Sequence, residues 1–541
     1  MQVRSANSVA FSRAGKMQIP GFAVGVALLG LMAGSMNIRA ASAAEPSPAA
    51  AAFAAASNTD PLLFPKDQFT LKTMTVKTST GEKKVVYRDY EHIPYVAKPV
   101  DKDYQSLNVK VPVSVDGVAV DASHAPILFA TGVGGYMSFN NATGTIGGPG
   151  GMAGPPGSFP GMPAGAIPPP GAGGTPVSGQ EDMALAAGLV VVEPGCRGRD
   201  NKAKDGTNYG KAPAAIVDLK AAVRYIRHNQ GVLPGNDDWI VSTGCSAGGG
   251  LSSLLGASGN SPLYEPYLKE IGAAEGKDNV FATSCGSPVT DLDHADGATE
   301  WMVGTALYKN AQVDQKVSAQ LKASFVSYQA GLNLKGHNNY GTLTADNYAP
   351  YLVKEYLAPS AGKYLRELDE EKRKEYLSKN PWIAWDGKNA SFDFWKYVNA
   401  RMATRIKGAP AFDDFEMTTP ETILFGTKTV DARHFTEFSL RHATNNPKAT
   451  LDPQLQTLVN MMNPMYFIGQ HNPGVAPHWW IRFGGSEGLP ETIPINLAAS
   501  LENQGKDVNA WVYWDAGHCA DQDPEGFVVW VGKITGYKSH K

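Results

Sequence analysis

Residues 244–248 have the sequence GCSAG, which matches the pattern G-x-S-x-G and places Ser246 between glycines. An apolar run, residues 239–242, precedes the motif, and small and apolar helix formers follow it over residues 247–255. A strand, a sharp turn and a helix in this order raise a serine hydroxyl above the edge of a sheet. The amide of Ala247 would then lie at a helix N-terminus, where it can donate to an oxyanion. The motif therefore predicts a serine nucleophile; the simpler interpretation is a small-residue turn that lets a helix pack closely.

Two other segments supply candidate partners for this serine. Residues 132–135 have the sequence GVGG and follow an apolar run, so Gly134 is a candidate second oxyanion donor, although a plain glycine turn explains the same residues. His518 ends the segment WDAGH, which leaves the last apolar run of the chain. Among eleven histidines, His518 combines this position with a small-residue loop, as expected of the general base.

The acid of such a triad is expected between the serine and the histidine, after the penultimate strand. The segment RFGGSE leaves that strand and ends in Glu487, which is the first candidate, and Glu491 is the second. The acid orients the imidazole and stabilises its charged form. Asp515 is too close to His518 along the chain to be a natural partner.

Two of the four cysteines flank the candidate catalytic pair. Cys245 directly precedes the serine, and Cys519 directly follows the histidine. If the serine and the histidine lie within hydrogen-bond distance, these cysteines are close enough for a disulfide that ties the two loops together. The other two, Cys196 and Cys285, either pair with each other or remain free buried thiols.

These residues need a sheet whose strand ends bring them together, and the hydrophobic pattern predicts one. Short apolar runs alternate with segments of helical periodicity, which is typical of a mostly parallel α/β sheet with helices on both faces. Residues 108–115 instead alternate valine with polar residues, as in a half-buried edge strand. The predicted strands are residues 126–130, 188–192, 239–242, 479–483 and 508–514, and the predicted helices are residues 214–227, 247–255, 495–504 and 525–534.

The pattern divides the chain into a core in two parts and an insertion between them. Residues 61–293 and 464–541 form the predicted core. Residues 294–463 are richer in charged and aromatic side chains, and we predict a mainly helical insertion that stands over the sheet as a lid. Within the first core part, residues 147–176 are mostly glycine, proline and alanine, which predicts a flexible loop excursion.

The N-terminus has the features of an export signal. Three basic residues precede an apolar run over residues 22–33, and the small residues 41–43 offer a cleavage site. We predict a signal peptide over residues 1–43, a disordered leader over residues 44–60, and a soluble mature protein in the periplasm or outside the cell. The alternative is a retained membrane anchor, but the apolar run is shorter than the about 20 residues that span a bilayer.

Composition excludes several classes of partner and cofactor. The chain has 541 residues, a formal net charge of −3 and no recurring basic cluster, so we expect neither nucleic acid nor an anionic membrane surface as a partner. The spacing of histidines and cysteines does not suggest a zinc site, and we predict neither a metal nor an organic cofactor.

Several longer segments resemble the bacterial tannases of the shorter type, within the wider tannase and feruloyl esterase group. The resemblance extends from about residue 85 to the C-terminus and is carried by residues 196–199, 210–213, 242–268 and 290–296. It implies an α/β-hydrolase fold with a large lid and the hydrolysis of galloyl esters, so the expected partner is a small aromatic ester. In the lid, the resemblance implies that Lys407 and Glu421 hold the hydroxyls of the galloyl ring.

The chain departs from this family after the penultimate strand. The family usually has two aspartates separated by one residue, one for the triad and one for the substrate, where this chain has Glu487 and then Leu489. Glu491 is the candidate replacement for the second substrate contact. The departure leaves open an esterase for feruloyl or other aromatic acids. A binding protein that keeps the fold without the activity is a further alternative, against which the intact Ser246 and His518 and the cysteines beside them argue.

Overall fold

The computed structural model describes residues 60–147, 152–153 and 179–538. The predicted signal peptide, nearly all of the leader and nearly all of the Gly/Pro-rich excursion lie outside the described residues. Among the described helices, none is both long enough and apolar enough to cross a membrane.

A central sheet carries the described part of the chain. Its order is β1-β2-β3-β6-β5-β7-β8-β9-β10, with β4 paired to β3. The pairs from β1 to β6 are antiparallel, and β6, β5, β7, β8, β9 and β10 run parallel. The strands are β1 (Thr70–Thr78), β2 (Gly81–Pro94), β3 (Ser106–Val115), β4 (Val118–Ala119), β5 (Pro126–Ala130), β6 (Val190–Pro194), β7 (Asn236–Cys245), β8 (Ala282–Gly286), β9 (His478–Gly484) and β10 (Asp507–Tyr513).

Helices cover both faces of this sheet, because neighbouring strand residues point to opposite sides. Ile127 and Phe129 pack into the cluster that contains α2 and α3, whereas Leu128 packs with α1 and α16. The prediction of a mostly parallel sheet with helices on both faces is therefore confirmed. The helices of the core are α1 (Gln180–Ala186), α2 (Ala214–His228), α3 (Ala247–Ala257), α4 (Glu265–Glu270), α15 (Thr492–Asn503) and α16 (Pro524–Thr535).

The long segment between β8 and β9 is mainly helical, as its composition predicts. Two 3₁₀ turns lie at Pro262–Tyr264, in the core, and at His337–Asn339; a π-helical turn lies at Val353–Leu357. The helices between β8 and β9 are α5 (Leu292–Val303), α6 (Gln315–Leu332), α7 (Ala345–Leu352), α8 (Ala358–Glu367), α9 (Glu370–Lys379), α10 (Phe394–Arg401), α11 (Pro420–Leu424), α12 (Glu437–Thr444), α13 (Pro453–Met461) and α14 (Pro464–Gly469).

Short paired strands lie in several of the loops. Within the insertion, three hairpins pair Leu307–Tyr308 with Ala311–Gln312, Lys335–Gly336 with Gly341–Thr342, and Ala384–Trp385 with Ala390–Ser391. A small three-stranded sheet, Phe139–Asn140, Thr145–Ile146 and Met152–Ala153, follows β5.

The prediction of an edge strand at residues 108–115 is wrong. These residues belong to β3, which lies between β2 and β6 and is mostly buried. The sequence analysis missed the long antiparallel hairpin β1–β2, which covers the outer side of β3. It also missed β8, because the sequence ATSCG consists of small residues without the β-branched run that signals a buried strand.

Candidate active site

Ser246 lies in a tight turn between β7 and α3. Its backbone has φ 59° and ψ −125°, a conformation that L-residues adopt only when the surrounding structure enforces it. The two glycines of the motif make the turn possible by close packing. A Cβ atom on Gly244 would lie 2.3 Å from Thr131 Oγ1, and one on Gly248 would lie 2.8 Å from the carbonyl oxygen of Val133. The sequence thus folds into a strand, a strained turn and a helix that present a serine.

A chain of hydrogen bonds connects Ser246 to two residues from later strands. His518, in the loop after β10, has its Nε2 atom 2.9 Å from Ser246 Oγ. Its Nδ1 atom lies 3.1 Å from Oε2 of Glu487, in the loop after β9. The side chains of His518 and Glu487 are only 6% and 3% exposed. Because these strands are parallel, their carboxyl ends lie at one edge of the sheet and bring the three residues together, as the sequence analysis expects.

A disulfide joins the loops of the serine and the histidine. Cys245, the last residue of β7, is bonded to Cys519, and their Cα atoms are 5.7 Å apart across 274 residues of sequence. The backbone N–H of Cys519 also donates to Ser287 Oγ at 3.2 Å. The loop that holds the histidine is therefore fixed covalently to the nucleophile turn.

The other two cysteines are free and buried, which decides between the alternatives left open by the sequence. Cys196 and Cys285 do not pair with each other. Burial raises the pKa of both thiols, that of Cys285 to about 12. Neither thiol is therefore ionised at neutral pH.

The loop that contains Gly134 lies directly against the nucleophile turn. The N–H of Gly248 donates to the carbonyl of Val133, the residue before Gly134, at 3.1 Å. Ala247 is the first residue of α3, so its N–H lies at a helix N-terminus. Both predicted oxyanion donors are thus in the two backbone segments that flank Ser246.

Arg199 holds this loop in place, a role that the sequence analysis did not assign. Its Nε atom donates to the carbonyl of Gly135 at 2.7 Å, and its backbone N–H donates to the carbonyl of Tyr136 at 2.9 Å. Gly135 and Tyr136 both have positive φ, 55° and 56°. Glycine adopts this conformation readily and tyrosine does not, so the arginine stabilises the unfavourable backbone of Tyr136.

Lys407 and Glu421 approach each other in the insertion. Lys407 Nζ lies 3.3 Å from Glu421 Oε2 and 3.8 Å from the centroid of the Phe412 ring. Glu421 is buried in the first turn of α11, whereas the Lys407 side chain is 26% exposed. The two residues thus form a partly open pair of opposite charges beside an aromatic ring.

Buried charges fix the backbone around Lys407. Arg405 forms a salt bridge with Glu300, and both side chains are almost fully buried. Arg405 Nε also donates to the carbonyl of Lys407 at 2.8 Å, and Nη2 donates to the carbonyl of Gly408 at 2.7 Å. Asp296 accepts backbone hydrogen bonds from Ala411, Phe412 and Asp413. No periodicity in the sequence signals these long-range contacts.

Glu491 does not take the position that the sequence analysis proposes for it. It is fully buried, and its hydrogen-bond partner within the described residues is Tyr397 Oη on α10. The expectation that Glu491 replaces a second substrate carboxylate is therefore not met. Leu489 packs against the hydrophobic core and offers no polar contact either.

One group among the described residues has the spacing of metal ligands. Single ligand atoms of Asp291, Asp293 and His294 lie within 4.8 Å of one another. Protein donors already engage these carboxylates: Asn463 Nδ2 lies 2.9 Å from Asp291 and 2.8 Å from Asp293, and Tyr328 Oη donates to Asp291 at 2.7 Å. The group is a hydrogen-bonded ion cluster at the start of the insertion.

Comparisons with solved structures show strong similarity over the whole described fold. A tannase from Fusobacterium nucleatum is 32% identical with a TM-score of 0.70, and the match covers 87% of this chain and 99% of that chain. A tannin acyl hydrolase in complex with ethyl gallate is 32% identical with a TM-score of 0.72, covering 88% and 100%. The native tannin acyl hydrolase from Lactobacillus plantarum is 31% identical with a TM-score of 0.71, covering 88% and 100%.

Shorter matches to a family model and to curated esterases point to the same chemistry. The family described as BD-FAE matches residues 206–328. Esterase LipQ of Mycobacterium tuberculosis is 35% identical over 101 residues, 18% of this chain and 23% of the relative. Esterase LipC of the same organism is 41% identical over 58 residues, 11% and 14% respectively. The chain thus matches less than a quarter of the length of these esterases.

The fold, the strained serine turn and these similarities define an α/β-hydrolase that acts on carboxylic ester bonds. Within that class, the structural relatives at more than 30% identity are matched over nearly their whole length. The chain belongs to the tannase family.

Proposed function

We propose that this chain hydrolyses galloyl esters with Ser246 as nucleophile, His518 as general base and Glu487 as triad acid. The hydrogen-bonded chain from Glu487 through His518 to Ser246 is the observation that carries the proposal. A serine becomes a competent nucleophile when an adjacent base removes its proton and a third group orients that base.

The reaction follows from this geometry. Ser246 Oγ attacks the ester carbonyl while His518 Nε2 accepts the hydroxyl proton, and Glu487 stabilises the imidazolium. The N–H groups of Ala247 and Gly134 donate to the oxyanion. His518 then returns the proton to the leaving alcohol, which leaves an acyl-enzyme. Water, deprotonated by His518, hydrolyses this intermediate and restores Ser246.

We propose that Lys407 and Glu421 select the acid portion of the ester. A ring with adjacent phenolic hydroxyls needs converging polar partners, and an ammonium beside a carboxylate supplies both a donor and an acceptor. The insertion, residues 294–463, would act as the lid that places this pair over the nucleophile. The structures of similar tannin acyl hydrolases with ethyl gallate and with 3,4-dihydroxybenzoate support a small aromatic ester as substrate.

A feruloyl or other aromatic-acid esterase is the second candidate. Leu489 is packed against the core, and Glu491 is buried against Tyr397, so neither supplies a second carboxylate for ring hydroxyls. A site with one carboxylate discriminates less strongly between a trihydroxylated ring and a ring with fewer hydroxyls.

Substitutions of Lys407 and Glu421 test the galloyl assignment. We expect Lys407→Ala and Glu421→Ala each to lower kcat/KM for methyl gallate about tenfold to about a hundredfold, because each substitution removes a hydrogen bond between a charged group and the substrate. Hydrolysis of a short aliphatic ester should change little. Lys374→Ala, an exposed lysine on α9, is the matched control. Equal losses of kcat/KM on both esters would contradict the galloyl assignment but not the esterase activity.

We also propose that the protein is exported to the periplasm or the medium with residues 1–43 removed. The disulfide between Cys245 and Cys519 supports this, because disulfides persist mainly in oxidising compartments. Mass spectrometry of the protein recovered from cell fractions tests it. A chain that retains its N-terminus in the membrane fraction would support the retained anchor instead.

A further inference from the structure

A buried carboxyl group lies four residues after the proposed triad acid. Glu491 ends the loop that begins at Gly485 and carries Glu487, and its side chain is fully buried. Tyr397, on helix α10 of the insertion, contacts both ends of this loop. Its Oη atom lies 2.7 Å from the carbonyl oxygen of Gly485 and also within hydrogen-bond distance of Glu491 Oε1.

The number of protons available to Tyr397, Gly485 and Glu491 bears on whether Glu491 is protonated. A tyrosine hydroxyl has one proton, and a backbone carbonyl can only accept a hydrogen bond. Tyr397 can therefore donate to only one of the two oxygens, and its contact with the Gly485 carbonyl is a hydrogen bond only if Tyr397 donates there. The contact between Tyr397 and Glu491 is then a hydrogen bond only if Glu491 supplies the proton, because an ionised carboxylate would face a lone pair of the hydroxyl.

The surroundings of Glu491 agree with a neutral carboxyl group. The titratable groups that face it are Tyr397 from α10 and Glu487 from its own loop. Arg401, one turn further along α10, is engaged by Asp515 and Tyr376. From α7, Tyr348 donates to Asn496 Oδ1 at 2.7 Å. Burial raises the pKa of Glu491 to about 8, and the charge of Glu487 adds to the rise; a hydrogen bond donated by Tyr397 to the carboxylate would oppose it.

A charged Glu491 would place a second negative charge in a buried site beside the triad acid. Its Oε2 atom is buried and has no hydrogen-bond partner within the described residues, so an anion there would be incompletely solvated. The charge of Glu487 also opposes the ionised form of Glu491.

We propose that Glu491 is a positioning residue that acts in its protonated form: with Tyr397, it holds the loop from Gly485 to Glu491 so that Glu487 stays aligned with His518. The inference rests on the proposed triad. In this proposal, helix α10 of the insertion holds the loop of the triad acid in place.

The pH profile of kcat on a short aliphatic ester tests this role. For the wild type we expect kcat to fall above about pH 8, and about tenfold by about pH 9, as Glu491 ionises. In Glu491→Gln, the amide keeps a donor toward Tyr397 and cannot ionise, so the alkaline fall should disappear while kcat at neutral pH stays within about threefold. Tyr397→Phe should lower kcat at all pH values with little change in KM.

Glu502→Gln is the matched control, since burial also raises the pKa of Glu502, but this residue lies at the opposite end of α15 from Glu491 and pairs with His337. It should leave the profile unchanged. The same alkaline fall in Glu491→Gln as in the wild type would overturn the proposal.

A measurement without turnover separates this inference from the proposed function. The infrared carbonyl band of the protonated Glu491 carboxyl group should appear at neutral pH in the difference spectrum of the wild type minus Glu491→Gln, since other buried carboxyl groups such as Asp296 contribute equally to both spectra. Identical spectra would overturn the inference even if the esterase is active. If the band is present but Ser246→Ala keeps full esterase activity, Glu491 is protonated as inferred and the proposed triad is wrong.

Discussion

Three carboxylates lie near the proposed general base, and their partners give them different roles. Asp515, three residues before His518, forms a salt bridge with Arg401 of α10. Glu491 is paired with Tyr397. Glu487 is the carboxylate that reaches His518 Nδ1. Chain spacing favours the loop after β9 over Asp515, and within that loop the contacts of α10 distinguish Glu487 from Glu491.

Glu487→Gln should lower kcat about a thousandfold to about ten-thousandfold, because an amide no longer stabilises the imidazolium or enforces the tautomer of His518. Steady-state kinetics on a short aliphatic ester measure the effect. Glu275→Gln, at an exposed position, is the control and should match the wild type. Retention of more than about a tenth of the activity in Glu487→Gln would assign the acid role to another residue.

The residues that do the proposed chemistry were largely predictable, and those that support them were not. Ser246 follows from a local motif and His518 from a strand end, and each has a cysteine beside it. All of these signals lie next to the residue that they identify. Arg199, Tyr397 and Arg405 act through contacts with distant segments. Nothing in their immediate sequence distinguishes them from ordinary polar side chains.

Helix α10 and the disulfide together connect the loops of the site. Tyr397 contacts the loop after β9, Arg401 contacts the loop after β10, and the bond between Cys245 and Cys519 ties that second loop to the nucleophile turn. Loops alone fix catalytic geometry poorly, so these connections from rigid elements stabilise the relative positions of the three side chains.

Removal of the disulfide should affect both stability and turnover. For the double variant Cys245→Ala and Cys519→Ala we expect a loss of about 2 to about 5 kcal/mol in the free energy of unfolding, together with a lower kcat. Urea denaturation and ester hydrolysis measure the two effects. A thiol reductant should lower the wild-type values towards those of the variant and leave the variant unchanged. Full activity of the variant would show that the loops hold without the bond.

The buried salt bridge between Glu300 and Arg405 should stabilise the segment that carries Lys407. Glu300→Gln leaves the Arg405 charge buried without its partner, so we expect a loss of about 3 kcal/mol in the free energy of unfolding and a selective fall in kcat/KM for methyl gallate. Glu370→Gln removes an exposed ion pair on α9 and should change neither quantity measurably. Unchanged stability in Glu300→Gln would contradict this account of how Lys407 is positioned.

Among the helices and strands, those with a long hydrophobic periodicity were predictable from the sequence. Long apolar or amphipathic segments such as α2, β9 and α16 were found within a few residues of their observed ends. The hairpin β1–β2 was missed, and β8 has too few bulky residues to signal a strand. The neighbours of β3 depend on that hairpin, which is why the prediction of an edge strand failed.

For the whole molecule, two groups with raised pKa predict that stability falls as pH rises: Glu491, which is buried, and His294, whose side chain is 35% exposed. Glu491 has a folded-state pKa of about 8 against an ordinary value of 4.5, so the folded protein keeps a proton that the unfolded chain has lost. For His294, burial lowers the pKa, but Asp293 and Asp291 raise it to about 9 from 6.5. Its contribution is complete below about pH 6.5 and is lost as pH rises through about 9.

We therefore expect the wild-type Tm to fall between about pH 6 and about pH 8. Calorimetry at several pH values measures this, and the double variant Glu491→Gln and His294→Gln should show a smaller fall. A wild-type Tm that rises over the same interval would show that other groups dominate the proton balance.

The comparison of three substrates tests the central claim most directly: kcat/KM of the mature protein on methyl gallate, methyl ferulate and a short aliphatic ester, with Ser246→Ala as the blank. The account predicts activity that depends on Ser246 and a preference for gallate of more than about a hundredfold, which corresponds to about 3 kcal/mol of discrimination in the transition state. Activity that depends on Ser246 without this preference would contradict the galloyl assignment. Undiminished activity in Ser246→Ala would contradict the mechanism itself.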